Sequence, residues 1–363
     1  MGIDRRRRRG APCPTAWRGS PGRSRRAREH PFSACVRRRG LNRSRGTSPC
    51  RLGKQLNMEP GDYELVRVAS GAWSVRSRRD GETFHPVVGP VHEAEALYVR
   101  QLDLAARARA TPGEFVLWDV GLGAAANVLT ALRALADVPV RVRVESFDHT
   151  LAPLAFARAE HESLGYFGGY CDAVDTLLDR REAAWTNGRS EVVWRVRVGD
   201  FPAWLQSPAA MAVPAPHAVL WDAYSPARNP AMWTLPVFRR MRELVPEGQR
   251  CALATYSRST LLRVTLLLAG FRVGAGTATG EKEETTVAAT DPAWVPAPLG
   301  AEWLGRARRS TSAEPLLEPV YRQAPPSPAT LAALECHPQF RVEGSAPART
   351  SDKIFAADGT DMA

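Results

Sequence analysis

The chain has 363 residues, 44% of them hydrophobic, which is enough for one core of about 250 residues with appendages. Its long uncharged stretch 201–221 contains four prolines, which excludes a membrane-spanning helix there. A secretory signal is also excluded, because residues 1–57 have no apolar segment of the required length. The composition therefore indicates a cytoplasmic globular protein.

Basic residues are concentrated at the N-terminus. Residues 1–57 hold 17 basic and 2 acidic residues, whereas the rest of the chain holds 32 basic and 36 acidic ones. A segment this rich in Arg buries too little apolar surface to offset its ordering entropy, so we expect a disordered leader. It could bind nucleic acid or act as a targeting peptide. The favoured alternative is a mis-assigned start ahead of Met58, because 46 Arg against 3 Lys suits GC-rich coding.

The expected elements begin with a β-hairpin, 65–68 with 73–75, and an amphipathic helix over 93–104. Seven strands follow, at 115–120, 142–147, 192–198, 219–221, 251–255, 271–275 and 285–289. Helical patterns between them predict an α/β fold with a doubly wound, mostly parallel sheet. The last two strands are too close for a crossover helix and should pair antiparallel.

Four regions are expected from these patterns. They are a leader over 1–57, a hairpin and helix extension over 58–111, the main α/β domain over 112–292, and a Pro/Ala-rich, loosely ordered tail over 293–363. The six cysteines include no Cys-x-x-Cys pair, and no histidine stands at metal-ligand spacing. No metal is therefore expected.

A glycine-rich turn follows the first sheet strand. Gly121 and Gly123 would let the backbone approach a ligand, and the helix that follows supplies N–H donors. Asp119 precedes this turn, Asp148 ends the second strand and Asp200 ends the third. The carboxyl ends of parallel strands share one sheet edge, where nucleotide-type ligands bind. Asp148 and Asp200 could instead cap the helices that follow them.

The segment from Asp222 to Trp233 is predicted to be a catalytic loop. Asp222 falls at the end of an apolar strand, where a carboxylate meets bound ligands. Pro226 and Pro230 would stiffen the loop, and Tyr224 could stack on a base or on the ligand. Trp233 could equally pack in the core.

These motifs resemble the methyltransferase half of the MnmC family of tRNA wobble-uridine enzymes. The resemblance covers roughly 81–290, and its most specific part is the loop, with Asp, Pro, Asn-Pro and Met-Trp at the family's spacing. The other matching segments are Thr83 to Ala94, Asp119 to Gly123, Ser146 to Asp148, Gly199 to Asp200 and Gly280 to Val287. A seven-stranded Rossmann-like sheet of a class I S-adenosylmethionine-dependent methyltransferase is the fold this implies.

The function that the resemblance implies is methyl transfer to the 5-aminomethyl group of a tRNA wobble (2-thio)uridine, giving 5-methylaminomethyl-uridine. S-adenosyl-L-methionine would be held by Asp119, Gly121, Gly123, Asp148 and Asp200, and Asp222 with Tyr224 would be catalytic. The residues assigned to substrate binding on this basis are Pro226, Arg228, Asn229, Trp233 and Lys282, although Lys282 could instead be an exposed hairpin charge. Arg239 and Arg240 are added because they follow strands near the expected site and could form a local basic patch for RNA. The partners implied are the tRNA anticodon stem-loop and a separate flavin oxidoreductase or other upstream wobble-uridine enzymes.

Three departures from the family pattern qualify this interpretation. Ala125 stands where the family has a third glycine, Asp148 is commonly Glu, and no segment resembles the flavin-binding half. His85 matches a family position ahead of the first helix, but a lone histidine is weak evidence. Alternative functions are methylation of a small amine or a protein by the same fold, or a non-catalytic module that binds the cofactor or RNA.

Overall fold

The computed structural model describes residues 60–279 and 283–341. The expectations for the leader, for Lys282 and for the end of the tail lie outside these residues. Within the described part, no helix combines the length and apolar character needed to cross a membrane.

Two β-sheets are present among the described residues. Strands β1 (Tyr63–Arg67) and β2 (Trp73–Ser77) form the expected antiparallel hairpin. The main sheet contains β3 (Glu114–Val120), β4 (Arg141–Asp148), β5 (Glu182–Asn187), β6 (Ser190–Val198), β7 (Ala218–Trp221), β8 (Ala252–Thr255), β9 (Arg272–Gly276) and β10 (Thr285–Ala289). Its strand order is β5-β6-β4-β3-β7-β8-β10-β9.

The pairing of these strands confirms the predicted fold class. Strands β6, β4, β3, β7 and β8 are parallel neighbours. Strand β10 lies between β8 and β9 and is antiparallel to both, as the short connection between the last two strands predicts. Because β3 lies between β4 and β7 at the centre of the sheet, the turns that follow these strands meet at one edge.

One strand was not predicted. Strand β5 pairs antiparallel with β6 at the sheet edge, through a two-residue turn at Gly188 and Arg189 that follows Asn187. Gly188 adopts φ 61°, and a Cβ there would lie 2.6 Å from the Ala136 carbonyl oxygen. The main sheet therefore has eight strands rather than seven. The additional strand leaves the order of the site-bearing strands unchanged.

Helices cover both faces of the sheet. They are α1 (Pro90–Ala94), α2 (Leu104–Ala110), α3 (Ala126–Leu135), α4 (Ala152–Ala159), α5 (His161–Leu164), α6 (Cys171–Arg180), α7 (Phe201–Gln206), α8 (Pro208–Met211), α9 (Leu235–Leu244), α10 (Thr260–Leu268), α11 (Ala301–Arg308) and α12 (Pro328–Glu335). A π-helical segment, Glu95–Arg100, joins α1 to a break at Asp103, which has φ 45°. The single helix expected over 93–104 is thus three segments.

The core has two layers, one on each face of the sheet. Along β3, Phe115 and Leu117 pack with α2, α3 and the π-helical segment, whereas Trp118 and Val120 pack with α7, α9 and α10. This alternation follows from the two-residue period of a strand. Burial on both faces explains why the run that predicted this strand is almost entirely apolar, with Asp119 as its one charged residue.

Residues 293–341 differ from the expected loose order. Helix α11 places Trp303, Leu304 and Ala307 in the core layer of α9 and α10, and the Trp303 ring stacks on Phe340 at 6.3 Å. The spacing of the three core residues is that of one helix face, so a short amphipathic helix is present despite the surrounding prolines.

Candidate active site

The glycine turn between β3 and α3 touches the backbone of the loop after β7. The Gly121 N–H donates to the Phe147 carbonyl at 2.9 Å, and Gly121 has φ 98°. A Cβ at this position would lie 2.6 Å from the Asp222 carbonyl oxygen. Only glycine combines this φ with so close an approach. The turn and Asp222 are therefore held at a fixed separation.

Asp148 faces the glycine turn. Its Oδ2 accepts the Gly123 N–H at 2.9 Å, and its Oδ1 accepts from Thr150 N–H at 3.3 Å and lies 3.0 Å from His149 Nδ1. Helix α4 has Leu151 as its N-cap, with no side-chain cap bond, so the capping alternative does not hold. The carboxylate thus lies beside the glycine turn, and its role in cofactor binding stays a prediction.

Asp119 lies beneath the turn rather than on the site surface. It is fully buried, and its Oδ2 accepts from the Ser146 hydroxyl at 2.8 Å, which in turn accepts from Trp194 Nε1. Burial raises the pKa of Asp119 to about 8, an effect that the Ser146 hydrogen bond opposes and the carboxylates of Asp222 and Asp148 reinforce. Asp119 therefore binds a proton near neutral pH.

Asp200 caps the helix that follows β6. Its Oδ1 accepts the Ala203 N–H at 2.9 Å, and the residue is exposed. The capping alternative is thus realised, and a contact with the cofactor stays a prediction.

Polar side chains from two other segments lie beside the Asp222 carboxylate, and a side chain from a third segment lies behind one of them. Asn127 Nδ2, in the first turn of α3, donates to Asp222 Oδ2 at 2.7 Å. His85 Nε2 lies 3.8 Å from the same oxygen, and His85 Nδ1 lies 3.6 Å from Glu93 Oε2 on α1. The Asp222 side chain retains 19% exposure, so a substrate can reach it.

The loop after Asp222 is fixed by hydrogen bonds to its main chain. Trp233 Nε1 donates to the Tyr224 carbonyl at 2.7 Å, and the Tyr256 hydroxyl donates to the Ala223 carbonyl at 3.0 Å. Trp233 is fully buried against Trp221 and Tyr256. The prediction that Trp233 binds substrate is therefore corrected: its indole holds the loop from the core, because the packing alternative provides both burial and a donor site.

Tyr224 lies at the rim of the site, partly buried against the β1–β2 extension. Its ring lies 6.0 Å from that of Phe84, and its hydroxyl is hydrogen-bonded to the side chain of Ser77. Burial raises the pKa of Tyr224 well above its usual range. The tyrosine is thus a neutral aromatic group beside the glycine turn, as its predicted stacking role requires.

The proline-rich part of the loop forms a turn at the surface. The N–H groups of Arg228 and Asn229 both donate to the Ser225 carbonyl, at 2.9 and 2.8 Å. Glu82 accepts from the Ser225 hydroxyl at 3.1 Å, and its carboxylate lies 3.8 Å from the exposed Arg228 guanidinium. Pro226 lies within this turn and is partly buried. The predicted substrate residues Pro226, Arg228 and Asn229 therefore remain beside the site.

Arg239 and Arg240 do not join the site. Arg239 Nε donates to the carbonyl of Leu268, the last residue of α10, and α10 runs away from the carboxyl end of β8. Arg240 Nε donates to the Leu205 carbonyl, and its Nη1 pairs with Glu243. Helix α9 carries both residues away from the sheet edge that holds Asp222, and a contact of either with the substrate stays a prediction.

Two of the polar side chains around Asp222 were not predicted from the sequence. Asn127 lies in the glycine motif and was assigned no role, although its place in the first turn of α3 points it at the neighbouring strand ends. Glu93 lies on α1, whose length the sequence pattern overestimated. Its burial depends on tertiary packing, so the sequence carries no signal that identifies it.

Comparisons with known proteins agree with this geometry. Residues 181–291 match the family described as S-adenosyl-L-methionine-dependent methyltransferase. Over 246 residues the chain is 28% identical to the tRNA 5-methylaminomethyl-2-thiouridine biosynthesis bifunctional protein MnmC of Cupriavidus necator, covering 63% of this chain and 36% of that protein. The MnmC of Methylibium petroleiphilum is 28% identical over 230 residues, covering 61% and 34%. The chain thus spans about a third of these relatives.

A solved structure has the same fold. The crystal structure of MNMC2 from Aquifex aeolicus aligns with a TM-score of 0.56 at 23% sequence identity, covering 77% of this chain and 85% of that one. The family match makes residues 181–291 similar to S-adenosyl-L-methionine-dependent methyltransferases, and the alignment shows that the chain shares its fold with MNMC2. The predicted resemblance to the methyltransferase half of MnmC is confirmed.

The residues at the turn fit S-adenosyl-L-methionine, the methyl donor of the matching family. Gly121 and Gly123 leave the turn without side chains, and a Cβ on Gly123 would lie 3.3 Å from the Phe84 ring. Asn127 Oδ1 is buried and has no hydrogen-bond partner among the described residues. With Asp148 and Asp222, it adds an acceptor suited to a cationic ligand. Among the residues that the structure describes, no group of three or more side chains is placed to hold a metal ion.

Replacing Gly121 by Ala tests the fit of the turn. The added Cβ would meet the Asp222 carbonyl in a left-handed backbone, so we expect S-adenosylhomocysteine to bind at least about tenfold more weakly, by calorimetry. Gly168→Ala is the matched control, because Gly168 is exposed and its Cβ would meet nothing within 4 Å. Equal affinities of the two variants for S-adenosylhomocysteine would contradict binding of the cofactor at the glycine turn.

The buried acid at Asp119 predicts a pH dependence of stability. Folding raises its pKa from the ordinary 3.8 to about 8, so its stabilisation is complete below the lower value and is lost as pH rises through the higher one. Between about pH 5 and about pH 9, the free energy of unfolding should fall on the order of 2–4 kcal/mol relative to Asp119→Asn. Denaturant titrations measure this, with exposed Asp179→Asn as control. If the free energies of unfolding of wild type and Asp119→Asn changed in parallel with pH, Asp119 would not be a neutral acid in the folded protein.

Proposed function

We propose that the chain transfers a methyl group from S-adenosyl-L-methionine to the 5-aminomethyl group of a tRNA wobble (2-thio)uridine, giving 5-methylaminomethyl-uridine. The observation that carries the proposal is Asp222, whose main chain lies against the glycine turn and whose partly exposed carboxylate accepts a hydrogen bond from Asn127. Similarity to proteins named for 5-methylaminomethyl-2-thiouridine biosynthesis supports an amine acceptor of this kind.

The chemistry needs a neutral amine held in line with the methyl group. The bound donor supplies an electrophilic methyl group on a sulfonium. Asp222 accepts a hydrogen bond from the amine and so turns its lone pair toward that methyl group. As the N–C bond forms, positive charge develops on the nitrogen, and the fixed carboxylate stabilises it without having to reorient.

Two features at the rim suit a nucleotide. Tyr224 and Phe84 form a pair of aromatic rings beside the turn, which could stack on a base turned out of its loop. The Arg228 guanidinium is 62% exposed and 3.8 Å from Glu82, which leaves it able to reach a phosphate. We propose that this rim contacts the anticodon stem-loop.

The proposed reaction also implies partners and a place. It consumes a primary amine on the uridine, so a separate flavin oxidoreductase or other upstream wobble-uridine enzyme is proposed to supply it. Because tRNA is the proposed substrate, the reaction is proposed to occur in the cytoplasm.

Methylation assays with the full chain test this function. Labelled methyl donor is incubated with tRNA that carries 5-aminomethyl-2-thiouridine, and label in the nucleoside is measured. We expect Asp222→Ala to lower the single-turnover rate on the order of 100-fold or more, because the amine loses its acceptor. Asp179→Ala, at an exposed position on α6, is the matched control.

The remaining arms of this assay identify the acceptor. Unmodified tRNA should take up no label, because it lacks the amine. Label transferred equally well to free small amines would point to a small-molecule methyltransferase. Equal rates for Asp222→Ala and the control would remove Asp222 from its assigned role.

A further inference from the structure

His85 is held in an unfavourable backbone conformation by its neighbours. Its φ of 50° lies in the left-handed region, which persists in a non-glycine residue only where surrounding contacts impose it. Phe84 supplies those contacts: its N–H donates to the Val75 carbonyl at 2.8 Å, and its carbonyl accepts from the Ser74 hydroxyl. The β1–β2 extension thus fixes His85 over the end of β7.

The imidazole lies between two carboxylates. Nδ1 faces Glu93 at 3.6 Å and Nε2 faces Asp222 at 3.8 Å, and the His85 and Glu93 side chains are only 9% and 10% exposed. Other ionisable groups near this cluster include the hydroxyls of Tyr98 and Tyr256, the Glu82 carboxylate and the buried Asp119. Both tyrosines have pKa values raised by burial, so they remain neutral near pH 7.

Methylation of an amine creates a proton that needs a destination. A primary alkyl amine enters mostly as the ammonium ion and must lose one proton before it can attack the methyl group. If Asp222 kept that proton, it would lose the negative charge that stabilises the developing ammonium. A second proton acceptor behind Asp222 resolves this conflict. It becomes positively charged when it takes the proton, so a nearby negative charge must stabilise it.

We propose that His85 is a positioning residue that accepts the substrate's proton through Asp222, with Glu93 stabilising the resulting imidazolium. This deepens the proposed function and rests on it. The ammonium gives a proton to Asp222, and Asp222 passes one to His85 Nε2. The neutral amine then forms the N–C bond as the C–S bond breaks, leaving a secondary ammonium and a neutral thioether. His85 releases its proton to water after product leaves.

The pH–rate profile of single-turnover methylation tests the relay. His85→Asn keeps a polar side chain that tolerates the left-handed backbone but removes the titrating group. We expect its rate at pH 7 to be about 100-fold below wild type. The difference in rate between His85→Asn and wild type should decrease steadily toward pH 10, because the substrate amine is then already neutral when it binds. His92→Asn, at an exposed position on α1, is the matched control and should follow wild type.

Titration of the imidazole by NMR tests the same arrangement without substrate or donor. The signal absent from His85→Asn identifies His85 in the cofactor-free protein. Glu93→Gln should lower the pKa of this signal, because it removes the carboxylate that favours the imidazolium. The same change should shift the acid limb of the rate profile to lower pH.

The outcomes separate this inference from the proposed function. A deficit of His85→Asn that stays constant with pH, or an imidazole pKa unmoved in Glu93→Gln, overturns the relay while wild-type methylation still supports the function. If wild-type protein does not methylate the tRNA, the proposed function fails and the relay fails with it. Equal Kd values of wild type and His85→Asn for S-adenosylhomocysteine would separate the relay from a collapse of the site.

Discussion

The close approach of Gly121 to the Asp222 carbonyl is the constraint on which the rest of the site depends. Strands β3 and β7 are parallel neighbours, so the turn after one and the loop after the other leave the same sheet edge. A side chain at position 121 would push them apart. With glycine there, the turn proposed to hold the methyl donor and the carboxylate proposed to hold the amine share one framework.

The extension before the main domain completes this framework. Phe84 packs against the glycine turn, His85 faces Asp222, and Glu82 accepts from Ser225 in the loop. On the other side Asn127 reaches Asp222 from α3. The carboxylate is therefore held by segments distant in the chain, which explains how a side chain that remains partly exposed keeps one orientation.

Much of the fold follows from local pattern, since the predicted sheet strands are short runs rich in apolar residues, separated by helical patterns. Strand β5 was missed because it is an edge strand with alternating exposure, although Asn187-Gly188 is a strong hairpin signal. The glycines, Asp148 and Asp222 could be found because strand ends are recognisable. Asn127 and Glu93 could not be assigned, since their convergence depends on tertiary packing. The position of Arg239 could not be predicted either, because nearness in sequence does not give the direction of α9.

The most direct test of the account is a crystal structure with S-adenosylhomocysteine bound. We expect the ligand to lie in the glycine turn, with its thioether sulfur facing the Asp222 carboxylate. Asp148 should exchange its hydrogen bond from Gly123 for hydrogen bonds from the ribose hydroxyls. A sulfur directed away from Asp222, or a ligand bound away from Gly121, would contradict the claim that one sheet edge brings the methyl donor and the amine together.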